Sequence, residues 1–171
     1  MIALAFYQRY HDYKLKNACL EYADVTHLTI EILQENEVLR KVYQTLYFEV
    51  MVDEYQDSNV AQFLLLQQLA GVEENAGVYV CVVGDDDQSI YKFRGAEVQN
   101  ILNFQKQFPG TSLIRLEKNY RSTSEILSCA DSVVKNNEDR LGKTLVAVRG
   151  KGKQPTLVFL PTQDDETQFC A

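Results

Sequence analysis

The stretch Phe48-Glu49-Val50-Met51-Val52-Asp53-Glu54-Tyr55-Gln56-Asp57 decides how this chain is read. A short apolar, β-prone segment ends abruptly in two acids. A parallel strand delivers carboxylates in this way to the C-terminal edge of a sheet, where α/β proteins bind their ligands. There Asp53 can hold a magnesium ion, directly or through water, and Glu54 can polarise an attacking water. An Asp-Glu turn after a buried strand satisfies the same dipeptide, so the residues that follow carry the decision.

A second stretch, Val82-Val83-Gly84-Asp85-Asp86-Asp87-Gln88-Ser89-Ile90-Tyr91-Lys92-Phe93-Arg94-Gly95-Ala96, also leaves an apolar segment. Gly84 permits a tight turn. Gln88, with donor and acceptor groups, can sense a terminal phosphate or orient water. Arg94 can make a forked contact to a phosphate or to the Glu54 carboxylate. Tyr91 and Phe93 flank Lys92, an arrangement suited to stacking on exposed bases; placement in the core is the competing reading for each ring. The third stretch is Leu116-Glu117-Lys118-Asn119-Tyr120-Arg121-Ser122. Arg121 stands at an expected helix start, where backbone N–H groups and a guanidinium can face one anion. Tyr120 can stack on a purine, or lie half-buried at a domain edge.

Around these stretches the chain reads as alternating helices and strands. Residues to about Tyr47 are helical, with Ala3, Leu4, Phe6, Tyr7 and Tyr10 at helical spacing. Asp24 is expected to cap a helix through Leu33, and Asn36 one through Leu46. Ser58 or Asn59 begins an apolar helix, Val60 to Ala70, which Gly71 stops, and Glu73 to Gly77 is a polar loop. Further strands are expected at Val78 to Val83, Leu113 to Leu116 and Thr156 to Leu160. Helices are expected at Ala96 to Phe108, from the box Ser122-Thr123-Ser124-Glu125 to about Lys135, and from Asp164 onward. Lys135 to Lys153 reads as a polar segment. This alternation predicts an α/β fold with a mostly parallel sheet. A boundary falls near Pro109 to Leu116, giving domains at 1–110 and 111–171.

The bulk properties are those of a soluble globular protein: 171 residues, 46% hydrophobic and 24% charged. No apolar run approaches a membrane span, so no membrane partner is expected. Cys19, Cys81, Cys129 and Cys170 lack paired spacing, which predicts reduced cysteines and a cytoplasmic protein. The net charge of −7 argues against a polyanionic partner. Between Thr111 and Lys153, however, basic residues outnumber acidic ones.

Taken together and in this order, the three stretches closely resemble the UvrD/Rep/PcrA-like helicases of superfamily 1. DEYQD resembles their motif II, GDDDQSIYKFRGA motif III and LEKNYRS motif IV. Glu21-Tyr22-Ala23-Asp24 stands where the family often has an acidic-aromatic run, with Ala23 replacing an acid. Asp165-Glu166-Thr167-Gln168-Phe169 resembles the opening of a helix in the second motor domain. The resemblance implies a partial RecA-like P-loop NTPase domain with flanking helices, followed by the start of a second RecA-like domain. It implies ATP and Mg2+ as cofactors and single-stranded DNA as partner, with translocation 3′ to 5′. Asp53 and Glu54 form the metal-site carboxylates, Glu54 being also the base. Gln88 contacts the γ-phosphate and couples it to DNA, and Arg94 links that region to Glu54. Tyr91 and Phe93 bind DNA bases, Tyr120 stacks on adenine, and Arg121 is an arginine finger, a group worth roughly 10³–10⁵ in rate.

The sequence departs from the family pattern in two further places. Phe93 stands where many members carry Trp. No G-x-x-x-x-G-K-S/T loop occurs in the chain, and Gly142-Lys143, Gly150-Lys151 and Gly152-Lys153 lack the required preceding glycine. That loop supplies the backbone nest and lysine for the β- and γ-phosphates. The chain therefore reads as an internal piece of a helicase, inactive alone and dependent on the rest of the helicase chain or on a partner subunit. A non-catalytic DNA-binding or scaffold module that complements a partner is the alternative reading.

Overall fold

The computed structural model describes residues 2–71, 77–137 and 140–171, in two compact units, Met1–Leu113 and Ile114–Ala171. The fold is mixed α/β with parallel strand pairing.

The first unit opens with three helices, α1 (Ile2–Asn17), α2 (Tyr22–Glu35) and α3 (Glu37–Leu46). The apolar residues that predict α1 are exposed in it, Phe6 at 73%. Its tie to α2 is ionic: Lys14 Nζ lies 2.7 Å from both oxygens of Asp24 and 3.4 Å from Glu21. Asp24 is not the cap of α2. It sits one turn inside and accepts the Glu21 backbone N–H at 2.8 Å, which moves the helix start back to Tyr22. Asn36 does cap α3, accepting the Leu39 N–H at 2.9 Å.

β1 (Glu49–Val52) follows, then α4 (Val60–Ala70) and β2 (Tyr79–Val82). Asn59 and Gln62 close a reciprocal capping box at the start of α4, each bond 2.9 Å. Gly71, at φ 76°, ends the helix. The loop expected from Glu73 onward lies outside the described residues as far as Ala76. β1 and β2 pair in parallel, Glu49 opposite Tyr79 and Val52 opposite Val82. The core of the unit gathers on this pair: Tyr55, Leu66, Ala70, Phe104 and Phe108 are buried, with Val50, Val52, Val80, Val82 and Ile101 packed against them. Its aromatic rings interlock, Tyr55 edge-on to Phe104 at 5.5 Å and Phe104 stacked on Phe108 at 4.7 Å.

The helix expected over Ala96 to Phe108 is shorter and broken into α5 (Gln99–Leu102) and α6 (Phe104–Gln107). Ala96 is held in a β-bridge with Asn59, and the Glu97 N–H bonds Ser58 O at 3.0 Å, which delays the start. At the break Asn103 sits at φ −100°, ψ 6°, its side chain bonded to Gln99 and Lys106.

In the second unit β3 (Lys118–Asn119) pairs in parallel with β4 (Val146–Ala147), on either side of α7 (Ser124–Val134), and α8 (Gln163–Cys170) closes the chain. The strands expected at Leu113–Leu116 and Thr156–Leu160 do not form. Ile114, Leu116, Leu157 and Phe159 are 79–86% exposed, and β-propensity without a neighbouring strand makes no ladder. Pairing falls instead at Lys118–Asn119 and inside the segment expected to be polar loop. Thr162 caps α8, which starts two residues before Asp165. Among the described residues no helix is long and apolar enough to cross a membrane, and the four cysteines are free.

Tyr55 tests the core. It is 1% exposed, its hydroxyl has no hydrogen-bond partner among the described residues, and burial pushes its pKa up to about 12. Tyr55→Phe is expected to hold or raise stability by up to ~1 kcal/mol, since it removes an unmatched polar group. Tyr55→Ala is expected to cost ~3–5 kcal/mol through the cavity it leaves. Urea unfolding of the two variants measures both.

Candidate functional site

Because β1 and β2 run parallel and in register, the segments after Val52 and after Val82 leave the same edge of the sheet. The ladder continues one step past both strands: the Val83 N–H bonds Val52 O at 2.8 Å, and the Tyr55 N–H bonds Val83 O at 2.9 Å. Asp53 and Glu54 bulge out between these bonds and are exposed. Glu54 takes φ 49° and ψ 43°, the left-handed region that a residue with a side chain enters at a cost of order 1–3 kcal/mol. Its surroundings fix it there. Asp53 Oδ1 accepts its N–H at 2.9 Å, and its carbonyl accepts the Asp57 N–H at 2.9 Å.

The Glu54 carboxylate is held from the protein side by Gln56, whose Nε2 donates to Glu54 Oε2 at 2.7 Å. Gln56 is 1% exposed, and its Oε1 accepts the Asp85 backbone N–H at 2.9 Å. A buried amide thus joins the end of β1 to the turn after β2. Gly84 makes room for it: a Cβ there would stand 2.7 Å from Gln56 Oε1 and 2.8 Å from Ile101 Cδ1. In the turn itself, Asp85 accepts the Asp87 N–H at 3.0 Å and the Gln88 side-chain amide at 2.7 Å. The carboxylates of Asp85, Asp86 and Asp87 offer oxygens within 4.8 Å of one another, as consecutive acids in a 3₁₀ turn do.

A second buried contact braces the site from behind. Asn100 Nδ2 reaches Ser58 O at 3.2 Å and Ser58 Oγ at 3.3 Å, and Ser58 Oγ donates to Tyr55 O at 2.6 Å. A cleft of about 390 Å³ runs beside β1 and α4, lined by Asp53, Glu54 and Asp57 and by aliphatic residues that include Val50, Val52 and Leu65. Asp57 Oδ1 is buried there without a partner among the described residues.

Tyr91 and Phe93 are surface rings and not core: Phe93 is 78% exposed and Tyr91 36%. Their centroids lie 6.0 Å apart. The Arg94 guanidinium sits over both, 5.0 Å from Tyr91 and 5.4 Å from Phe93. Among the described residues Arg94 makes no ion pair with Glu54, whose Oε2 accepts from Gln56.

In the second unit Asn119 organises the Tyr120–Arg121 turn. Its Oδ1 accepts the N–H groups of Arg121 at 2.9 Å and Ser122 at 2.7 Å. Tyr120 is 68% exposed, and Arg121 is exposed two residues ahead of the α7 cap, Thr123. Arg149 Nη1 donates to Arg121 O at 2.8 Å. Glu125 does not close a capping box; it accepts the Gly152 N–H at 2.6 Å, tying the segment after β4 to the start of α7. That bond, first among its causes, holds the Glu125 carboxyl below the ordinary range.

Gln56, Ser58, Asn100 and Asn119 do not stand out as site residues from the sequence alone. A neutral amide set between acids, as in Glu54-Tyr55-Gln56-Asp57, is the signal that points to Gln56.

Residues 2–109 match the model of the UvrD/REP helicase N-terminal domain, and residues 114–171 that of the UvrD-like helicase C-terminal domain. The chain is similar to a probable DNA helicase II homolog of Rickettsia conorii, 40% identical over 99% of this chain and 25% of that protein. It is similar to the ATP-dependent DNA helicase PcrA of Bacillus subtilis, 42% identical over 95% of this chain and 22% of that protein. PcrA of Staphylococcus aureus is 40% identical over 95% of this chain and 22% of its own length. The chain thus spans about a quarter of the length of the curated relatives it matches.

Two measurements test this geometry. Gly84→Ala is expected to lose ~1–3 kcal/mol in urea unfolding, because the new Cβ displaces the Gln56 amide or Ile101. The Glu125–Gly152 tie is expected to be intact above the ordinary glutamate pKa of about 4.3 and lost as pH falls through the lower folded value. The Gly152 amide proton shift followed by NMR against pH reports this loss, and Glu125→Gln is expected to remove the titration.

Proposed function

The chain belongs to the UvrD/REP helicase family, and on that premise we propose that it forms part of an ATP-dependent 3′–5′ DNA helicase that couples ATP hydrolysis to movement along single-stranded DNA. The first unit is the latter part of one RecA-like motor domain, and the second unit is the beginning of another. The observation that carries the reading is the parallel register of β1 and β2, which brings Asp53–Glu54 and Asp85–Gln88 out of one sheet edge.

In this reading the residues act as follows. Asp53 holds Mg2+: its Oδ1 accepts the Glu54 N–H, and its Oδ2 has no protein donor among the described residues. Hard carboxylate oxygen, with water completing the shell, suits that ion. Mg2+ held there would supply positive charge for phosphoryl transfer. Glu54, with one oxygen fixed by Gln56, orients and deprotonates water through the other. Gln88 contacts the γ-phosphate from the turn after β2. Arg94 joins that region to the exposed rings of Tyr91 and Phe93, which stack on DNA bases. Tyr120 stacks on adenine, and Arg121 offers a guanidinium to the transferring phosphoryl group. The protein acts in the cytoplasm.

The chain alone carries no G-x-x-x-x-G-K-S/T loop and is therefore inactive by itself, without measurable DNA-stimulated ATP turnover. The test is a chimera in which this segment replaces its counterpart in PcrA of Bacillus subtilis. We expect DNA-stimulated ATP hydrolysis from the chimera and none from the chain alone. Arg121→Ala in the chimera is expected to lower turnover roughly 10³–10⁵-fold. A chimera that binds ATP and DNA yet never turns over would instead favour the non-catalytic module.

A further inference from the structure

We propose that Gln56 is a positioning residue that couples the Glu54 carboxylate to the Gly84–Gln88 turn, so that a displacement at one is transmitted to the other. The inference rests on the reading of Glu54 as the base and Gln88 as the γ-phosphate contact.

The link is continuous and short at every step. Glu54 Oε2 accepts from Gln56 Nε2 at 2.7 Å, Gln56 Oε1 accepts from the Asp85 N–H at 2.9 Å, and Asp85 Oδ2 accepts from Gln88 Nε2 at 2.7 Å. Glu54 and Asp85 follow different strands, and the Gln56 side chain bonds both. An amide is the group the position requires. It donates to a carboxylate on one side and accepts a backbone N–H on the other, which neither an ionised acid nor an apolar side chain can do.

The link is also stiff. Gln56 is 1% exposed, so its amide is shielded from bulk water. Its Oε1 packs closely on Gly84, where a Cβ would stand 2.7 Å from it. The Glu54 backbone is held in the left-handed region by bonds to its own N–H and carbonyl, so a displacement of its carboxylate runs through its side chain and the Gln56 bond. A bond with one charged partner is among the stronger links available for such a pull. The Asp85 carboxylate, fixed to the Asp87 N–H and the Gln88 amide, carries the displacement into the turn.

NMR of the isotopically labelled chain without nucleotide tests the link. Glu54→Gln, which removes the charge and keeps the shape, is expected to shift the backbone amides of Asp85 and Gln88. In a Gln56→Met background the same substitution is expected to leave them unmoved. Unchanged signals from Val50 and Val80 show that β1 and β2 are still paired. If Gln56→Met does not fold, Gln56→Leu serves, since it also fills the buried site and removes the donor to Glu54, and the response of the Asp85 and Gln88 amides to Glu54→Gln is again expected to be lost. Equal shifts in the wild-type and Gln56-substituted backgrounds would overturn the proposal, because the effect would then travel through space. So would the absence of any shift in the wild-type background. An inactive chimera with this NMR link intact would sink the helicase reading alone, and an active chimera without the link would sink this one alone.

Discussion

Two backbone bonds lie beyond the last residues of the first sheet: Val83 N–H to Val52 O at 2.8 Å and Tyr55 N–H to Val83 O at 2.9 Å. They carry the parallel ladder past the point where Asp53 and Glu54 leave it. Everything in the first unit that bears on chemistry is hung from this extension. Tyr55, on the inner side, closes the aromatic core with Phe104. Asp53 and Glu54, on the outer side, have their backbone set by neighbours that cannot move without opening the core. The acids are exposed, but their positions are decided by a buried residue next to them in sequence.

The polar interior behind the acids follows from the same constraint. Parallel strands end together, so the two turns that follow them must share a small volume. Backbone N–H and C=O groups in those turns need partners once water is excluded. Gln56 and the Ser58–Asn100 pair supply them, all buried and all bridging segments distant in sequence. The second unit solves a related problem at its surface. There Asn119, Arg149 and Glu125 bond loop backbone, and the Glu125 bond is the one open to pH.

Much of this was legible in the sequence, for reasons that differ by element. Asn36, Asn59 and Gly71 announce helix ends because capping is a local event with a local cause. The strands around Val50 and Val80 are legible because short apolar runs precede turn residues. The stretches at Leu113 and Thr156 look similar and form no ladder, since a strand is a property of two segments and sequence shows one at a time. The break at Asn103 is a backbone turn, at φ −100° and ψ 6°, that composition does not display. In the site, Asp53, Glu54 and Gln88 are visible by residue type, and the exposure of Phe93 removes the core reading of that ring. Arg94 lying on two rings and Gln56 holding Glu54 depend on which atoms meet, and spacing does not encode that.

The fit of Gly84 against Gln56 has a consequence for how this protein can vary. The glycine contributes no side chain, and the amide oxygen occupies the volume a methyl group would need. The two positions therefore divide one small parcel of space, although one follows β1 and the other follows β2. Enlarging residue 84 requires both the Gln56 amide and the Ile101 side chain to give way, and a shorter residue 56 no longer spans the gap to Asp85. A change at either position is therefore felt at the turn that follows the other strand.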